Sequence, residues 1–497
     1  MSAAYSQGLK LSSQGRHVEA IAQFEAALAV QPDDPKVLFA LGNTASQLGL
    51  AGPAEQFFRR VLALEPGRVE ATVNLANLLR AAGQQDAAIA LLEPALAREP
   101  DSPELHLTLG SCWREKNNLP KASAHYQAAL SARPNYAPAL ANLADIRIDT
   151  GDRASARTLY DSAIKADPTN PQAKMNRAIL HLLNGDLKDA WRDYAARIDV
   201  PGKVPASEQR FAPWTGGPLQ RARLLVRSEQ GIGDQLMFAG LIAELAAHAK
   251  AQGGSVVLEC EPRLAALFAR SFPDASVRPA AIKTIGGKPA ANYGWLKAAG
   301  GATAAVLLGS LPKYLRPTLQ CFPKPHQFLI PDPQERARWR SVFDGGKKII
   351  GISWRSGKFG DGERALQFAT LQDWASFLRQ TDATFVCAQY GAMDEEITAL
   401  ERMSGRKIIV PENLDQKNEL DRTCAMLSVL DVLVSAPTAV SWLAAGAGVR
   451  TLKLHFNYSW TAMGQNYEPF APACECVFPA AQGDWADVFK QVTAKLS

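Results

Sequence analysis

Two rhythms of apolar residues divide the chain. As far as Tyr194 the spacing is helical and repeats every 34 residues: Ala20, Ala54, Ala88, Ala122, Ala156 and Ala190 share one slot, and Phe24, Phe58, Leu92, Tyr126, Tyr160 and Tyr194 another. Gly15, Gly49, Gly83, Gly151 and Gly185 mark a turn slot, with Asn117 in the remaining one, and Pro32, Pro66, Pro100, Pro134 and Pro168 close five units. Each slot has a physical reason. A small residue lets two helices cross closely, Gly or Asn takes the turn between them, a large side chain fills the space to the next unit, and Pro stops a helix. Pairs of packed helices are therefore expected. Between 201 and 219 the period is lost and Pro201, Pro205, Pro213, Gly216, Gly217 and Pro218 accumulate. This reads as a connector, with Phe211 and Trp214 packing it onto a domain. Beyond it, apolar runs of strand length alternate with helical stretches: Leu224 to Val226, Val256 to Leu258, Ala305 to Leu308, Lys348 to Ser353, Thr384 to Cys387, Lys407 to Val410 and Val432 to Ser435. Such alternation predicts parallel sheets covered on both faces, here in two lobes joined by a Pro-rich connector.

The first rhythm is the tetratricopeptide pattern, with five good repeats over 2–170 and a sixth, 171–204, that degenerates after Tyr194. The predicted organisation is an all-α tetratricopeptide solenoid over 1–204, a linker over 205–219, a first α/β lobe over 220–330 and a second over 331–497. The C-terminal helix is expected to pack back across the lobes. Such a solenoid lines its concave face with the first helix of each unit. One slot there holds Asn74, Asn142 and Asn176, and a slot three residues on holds Asn43, Asn77 and Asp145. An Asn side chain both donates to and accepts from a peptide group, so a ladder of them suits an extended acceptor backbone. The same positions also suit the solvated side of amphipathic helices. Residues 281–303, rich in Gly and Ala, read as an acceptor-side loop or an insertion.

Composition narrows the function classes only a little. With 47% hydrophobic and 21% charged residues the chain resembles ordinary globular proteins, and a net charge of +5 without a dense basic block gives no warrant for nucleic acid. The seven cysteines are scattered, Cys474 and Cys476 alone being close, and the seven histidines do not stand at metal-ligand spacing. No metal and no cofactor is expected. The start lacks a signal-like pattern and no apolar stretch reaches spanning length, so a cytoplasmic location is expected.

The most informative stretch is 223–238. A strand-like run ends in Gly231-Ile232-Gly233-Asp234 and leads into the helical pattern of Leu236, Phe238, Leu241 and Leu245. Strand, tight loop and helix start form the place where open α/β sheets bind ligands, and Asp234 is the one carboxylate set to face a substrate there. Ser353-Trp354-Arg355-Ser356-Gly357-Lys358 likewise follows a strand, and its N–H groups, hydroxyl and cations suit a phosphate. Gln389 and Tyr390 end the next strand, where a nucleoside would lie. Pro437, Thr438 and Ala439 open a helix after another strand and add an anion-binding start.

Several stretches recur in family order: Glu229 to Ala239, Glu259 to Leu264 with Phe268 to Pro273, Ser310-Leu311-Pro312, Gly351 to Gly357, Lys417 to Arg422 and Trp460 to Gly464. Over 211–490 they resemble GT-B glycosyltransferases related to the heptosyltransferases, in the branch with an N-terminal tetratricopeptide array. The architecture resembles bacterial flagellin glycosyltransferases, and the asparagine ladder that of O-GlcNAc transferases. The resemblance implies a GT-B fold, Asp234 as the base that takes the acceptor proton, a metal-independent transfer, and flagellin as the protein acceptor. It implies a nonulosonic acid such as pseudaminic acid as the sugar, carried by a nucleotide donor activated with CMP. Heptosyltransferases usually have Asp at the slot of Pro437 and often His at that of Trp442. Their loss speaks against a heptose donor. It also leaves open the alternative of a non-catalytic scaffold or chaperone for flagellin with a degenerate GT-B domain.

Overall fold

The computed structural model describes all residues except 1, 201–205, 208, 286–287, 325, 344–345, 357–366, 392–393 and 497. The chain forms two compact units, 1–173 and 174–497.

The first unit is helical. Successive pairs run from Ala3–Ser13 with His17–Val30 to Ala137–Asp149 with Arg153–Ala166. The turn inside each pair is left-handed, with φ of 75° at Gly15 and Gly49, 74° at Gly83, 83° at Gly151 and 55° at Asn117. Glycine adopts this conformation without a Cβ penalty, and Asn pays less than most residues. Phe24, Phe58, Leu92, Tyr126 and Tyr160 are completely buried, as are the periodic alanines from Ala20 to Ala156. The repeating slots are therefore packing positions of a tetratricopeptide solenoid.

The second unit begins inside the helix Pro171–Asn184. Its partner, Leu187–Tyr194, has eight residues where His17–Val30 has fourteen, and it runs into the turn Ala195–Asp199. Ala178, Leu182, Leu187, Ala190, Trp191 and Tyr194 share one buried cluster with Leu224, Val226 and Phe238. The Trp191 indole N–H donates to the Arg316 carbonyl at 2.8 Å. Periodicity places this sixth pair with the repeats, yet its buried face belongs to the α/β unit.

Two parallel sheets follow. The first comprises Arg223–Arg227, Ser255–Cys260, Ala275–Pro279 and Ala304–Leu307, lying in the spatial order third, second, first, fourth. The second comprises Ile349–Ser353, Thr384–Cys387, Ile408–Ile409, Val432–Ser435, Arg450–Leu454 and Cys474–Val477, in the order third, second, first, fourth, fifth, sixth. Alternate residues serve opposite faces: Val432 and Val434 join one core, Leu433 the other. Both orders reverse between the first and fourth strands, which creates a crevice at the carboxyl ends there.

Three sequence expectations change in detail. The segment 281–303 includes the antiparallel strands Ile282–Ile285 and Lys288–Ala291, and Ala206–Ser207 of the connector pairs in parallel with the latter. The connector is also bonded to the first sheet, Trp214 N–H to the Ala305 carbonyl at 2.9 Å and Ala305 N–H to the Ala212 carbonyl at 2.8 Å. Phe211 and Trp214 do pack it down, against Tyr293 at 5.2 Å and Tyr314 at 5.0 Å between ring centroids. The last helix, Trp485–Leu496, packs against the helix Leu371–Gln380 and the strand Cys474–Val477 of the second lobe. Its Phe489 packs on Trp374 and Phe377 of the second sheet's outer core, because Val488, Phe489 and Val492 form one stripe matched to that cluster. Among the described residues no helix is long and apolar enough to cross a membrane.

Candidate functional site

Both stretches singled out for chemistry lie at the switch points. In the first sheet the strand Arg223–Arg227 leads into Ser228 to Gly231 and the helix Ile232–Ala251. In the second, Ser353 ends the first strand and Ser435 the fourth, paired in register. The helix Ala439–Gly446, which follows Ser435, packs against Ile232–Ala251. The two loops thus open two neighbouring helices.

Gly231 is the N-cap of Ile232–Ala251, so Asp234 is the helix's third residue and not its cap. A carboxylate in the first turn is favoured by the helix dipole. Asp234 is half-buried, and a Cβ on Gly231 would lie 3.8 Å from its Oδ2. The loop before it is held from behind. Glu229 Oε1 accepts from Arg197 Nη2 at 2.7 Å and from Gly309 N–H at 3.1 Å, while Arg197 Nη2 also donates to Ser310 Oγ at 2.8 Å. Arg197 and Glu229 are both buried, and loss of one partner of such a pair costs about 3–5 kcal/mol. Gln230 donates to Tyr194 Oη at 2.9 Å, and Gln235 donates to the Gln230 carbonyl at 3.0 Å. Burial pushes the Tyr194 hydroxyl up to about 12, with Asp234 and Glu229 adding to the effect, so it stays protonated beside the loop. Sequence reading took Tyr194 as a packing slot and missed Arg197 and Gly309. The signal available was the Ser310-Leu311-Pro312 match next to Gly309.

The second crevice is ordered from within. Gln389 Oε1 accepts from Trp354 N–H at 2.9 Å, Arg355 N–H at 3.0 Å and Ser353 Oγ at 3.3 Å, and Gln389 Nε2 donates to the Tyr390 carbonyl at 2.8 Å. Its amide is spent shaping the loop. The Arg355 guanidinium meets Glu396 through Nε at 2.8 Å and Nη2 at 2.7 Å. Trp354 is 2% exposed and its indole N–H also reaches Glu396, at 3.3 Å. Ser356 is half-buried; Gly357 and Lys358 lie outside the described residues. Thr438 is the N-cap of Ala439–Gly446 but its side chain makes no cap bond, and its buried Oγ1 has no partner among the described residues. Pro437 is exposed beside it. A buried hydroxyl at the start of a helix is an anion-binding arrangement.

Motifs read as separate signatures join the two sheets. Arg263 donates to the Lys417 carbonyl at 3.0 Å, and Arg270 pairs with Asp421. The asparagines all lie on first helices of their pairs. Asn74 Nδ2 donates to Asn43 Oδ1 at 2.7 Å, and Asn77 Oδ1 accepts from Arg80 at 2.7 Å. Asn142 and Asn176 are half-buried. Contrary to the sequence spacing, His455, Glu468 and Cys476 meet in space.

Tetratricopeptide repeat family models match residues 5–69, 49–112, 79–143 and 114–180. The N-terminal part of the chain thus carries tetratricopeptide repeats, and an α/β region follows it. Protein FlbA of Caulobacter vibrioides is 30% identical over 311 residues, which cover 62% of this chain and 52% of FlbA. The chain spans about half the length of that curated relative. Among solved structures, a thermophilic repeat protein of Thermus thermophilus is 25% identical with a TM-score of 0.33, covering 36% of this chain and 98% of its own. MamA is 22% identical with a TM-score of 0.30, covering 34% of this chain and 96% of its own.

Proposed function

We propose that the chain is a protein O-glycosyltransferase of GT-B type that captures a protein acceptor, flagellin, on its repeats and transfers a nonulosonic acid such as pseudaminic acid from a CMP-activated donor to Ser or Thr. The observation that carries the reading is the coincidence of both chemistry-bearing loops with the switch points of two parallel sheets. In this reading Asp234 takes the acceptor proton as the hydroxyl attacks the anomeric carbon. Thr438, Ser356 and the N–H groups of the second crevice hold the departing nucleotide phosphate, without a metal. Gln389 shapes that loop. Arg355 enters only by exchanging its partner Glu396 for phosphate.

That ion pair also favours a second reading, a flagellin scaffold whose α/β half binds no donor, since the Arg355 guanidinium is already paired with a carboxylate. Thr438→Val separates the two. Removing a buried, unpartnered hydroxyl should leave the free protein as stable as before, or more so by up to about 1 kcal/mol. Under the transferase reading, CMP raises the unfolding temperature of the parent protein and the variant loses most of that increase. A parent protein indifferent to CMP and to CMP-sugars at millimolar concentration would support the scaffold.

A further inference from the structure

We infer a binding site for a zinc-type divalent ion formed by His455, Glu468 and Cys476, apart from the transfer chemistry. The fifth and sixth strands of the second sheet run parallel with Lys453 opposite Cys476, and His455 lies just beyond the fifth strand on the same side as Lys453. The segment between the strands brings in the third group. Glu468 N–H donates to the Cys474 carbonyl at 2.9 Å and Cys476 N–H to the Asn466 carbonyl at 2.8 Å, which pins Glu468 beside Cys476. One nitrogen, oxygen or sulfur atom of each of the three residues lies within 4.8 Å of the others. The residues are 5%, 0% and 5% exposed, respectively.

The two carboxylate oxygens are used unequally. Oε1 accepts from Lys453 Nζ at 2.7 Å, from Thr461 Oγ1 at 2.8 Å and from the Cys476 thiol at 3.6 Å. Among the described residues Oε2 has no partner, and neither has His455 Nε2, although both are buried. Buried polar atoms are rarely left so, and a carboxylate oxygen and an imidazole nitrogen without partners beside a thiol are what a metal ion satisfies. A ligating carboxylate normally keeps hydrogen bonds from its surroundings, which Lys453 and Thr461 supply on Oε1. One nitrogen, one sulfur and one oxygen suit zinc or cobalt and not magnesium or calcium.

Lys453 is the charge that any ion must live with. Its ammonium is buried and donates to Glu468 Oε1 at 2.7 Å. In the metal-free chain the Cys476 thiol donates to Glu468 Oε1. On binding, the S–H bond breaks, a sulfur–metal bond forms and the proton leaves to solvent. The thiolate then offsets Lys453. The ion would tie both strands to the segment that carries Trp460, whose ring lies 6.1 Å from that of Tyr194.

The test is metal content of the full-length protein, made without a histidine tag in zinc-supplemented cells and gel-filtered after brief exposure to a chelator. About one equivalent of zinc is expected, and cobalt-grown protein should show a thiolate-to-cobalt charge-transfer band. Cys476→Ser and His455→Asn should lose the band and Cys112→Ser, in the repeats, should keep it. Absence of both zinc and the band in the parent protein would overturn the site even if a variant fails to fold. Equal metal in Cys476→Ser would overturn it too, by placing the ion elsewhere.

Discussion

Gly42 shows how closely the repeat packing is specified at single residues. A Cβ there would meet the Phe58 ring at 2.6 Å, and Gly8 and Gly110 stand in the same relation to Phe24 and Tyr126, at 2.5 Å each. In the next unit the equivalent slots hold Ala76 and Leu92, both fully buried. The extra methyl is thus accommodated where the opposing side chain is smaller. Gly42→Ala should cost about 1–3 kcal/mol in urea unfolding through overpacking. Adding Phe58→Leu, which recreates the Ala76–Leu92 pair, should recover much of the loss, and a double variant no better than the single one would refute this account of the slot. Such slots are legible in sequence because each repeat restates the same steric problem. Gln389 was less so. A polar residue at a strand end looks the same in sequence whether it meets a ligand or, as here, three backbone and hydroxyl donors of the neighbouring strand's end and loop.

At the scale of elements, the helices Pro103–Glu115 and Leu119–Ala132 meet through His106 and His125, whose Nδ1 atoms are 3.0 Å apart. Burial, then His106, holds His125 below its usual value of 6.5, against an upward pull from Glu93 that exceeds the small downward one from Lys121. The unfolded chain therefore takes up a proton that the folded chain resists, and stability rises with pH across that window. It is fully present above about pH 6.5 and is lost as pH falls through that value towards the lower folded one. Hydrogen exchange of these two helices should accelerate between about pH 7 and pH 5 after correction for intrinsic rates. His125→Asn should flatten the dependence, and an unchanged profile would count against it. Strand and helix types were readable from apolar run length. The strands Ala275–Pro279, Arg450–Leu454 and Cys474–Val477 were not, since Arg278, Lys453 and Glu475 interrupt the apolar signal. In the case of Lys453 the interruption is a buried ion pair with Glu468, which only tertiary structure supplies.

Across the whole molecule, the sixth helix pair matters most to the functional reading. The 34-residue period predicted its existence and its aromatic Tyr194, but a filled slot does not say what it packs against. In the structure Tyr194 and Arg197 hold Gln230 and Glu229, so the pair's last turns brace the loop that presents Asp234. The cluster of His455, Glu468 and Cys476 was likewise hidden, because the ligands come from two strands and the segment between them, far from any compact ligand spacing. What the sequence did convey was the order of motifs, and their places at the two switch points follow from the strand order. The proposed transfer is tested most directly by the intact mass of flagellin after incubation with this protein and a panel of nucleotide sugars, beside Asp234→Ala. The account predicts a mass increase of one sugar per modified site with a single class of donor, slowed about 100-fold or more in the variant. Flagellin that binds the repeats yet gains no mass with any donor would contradict it.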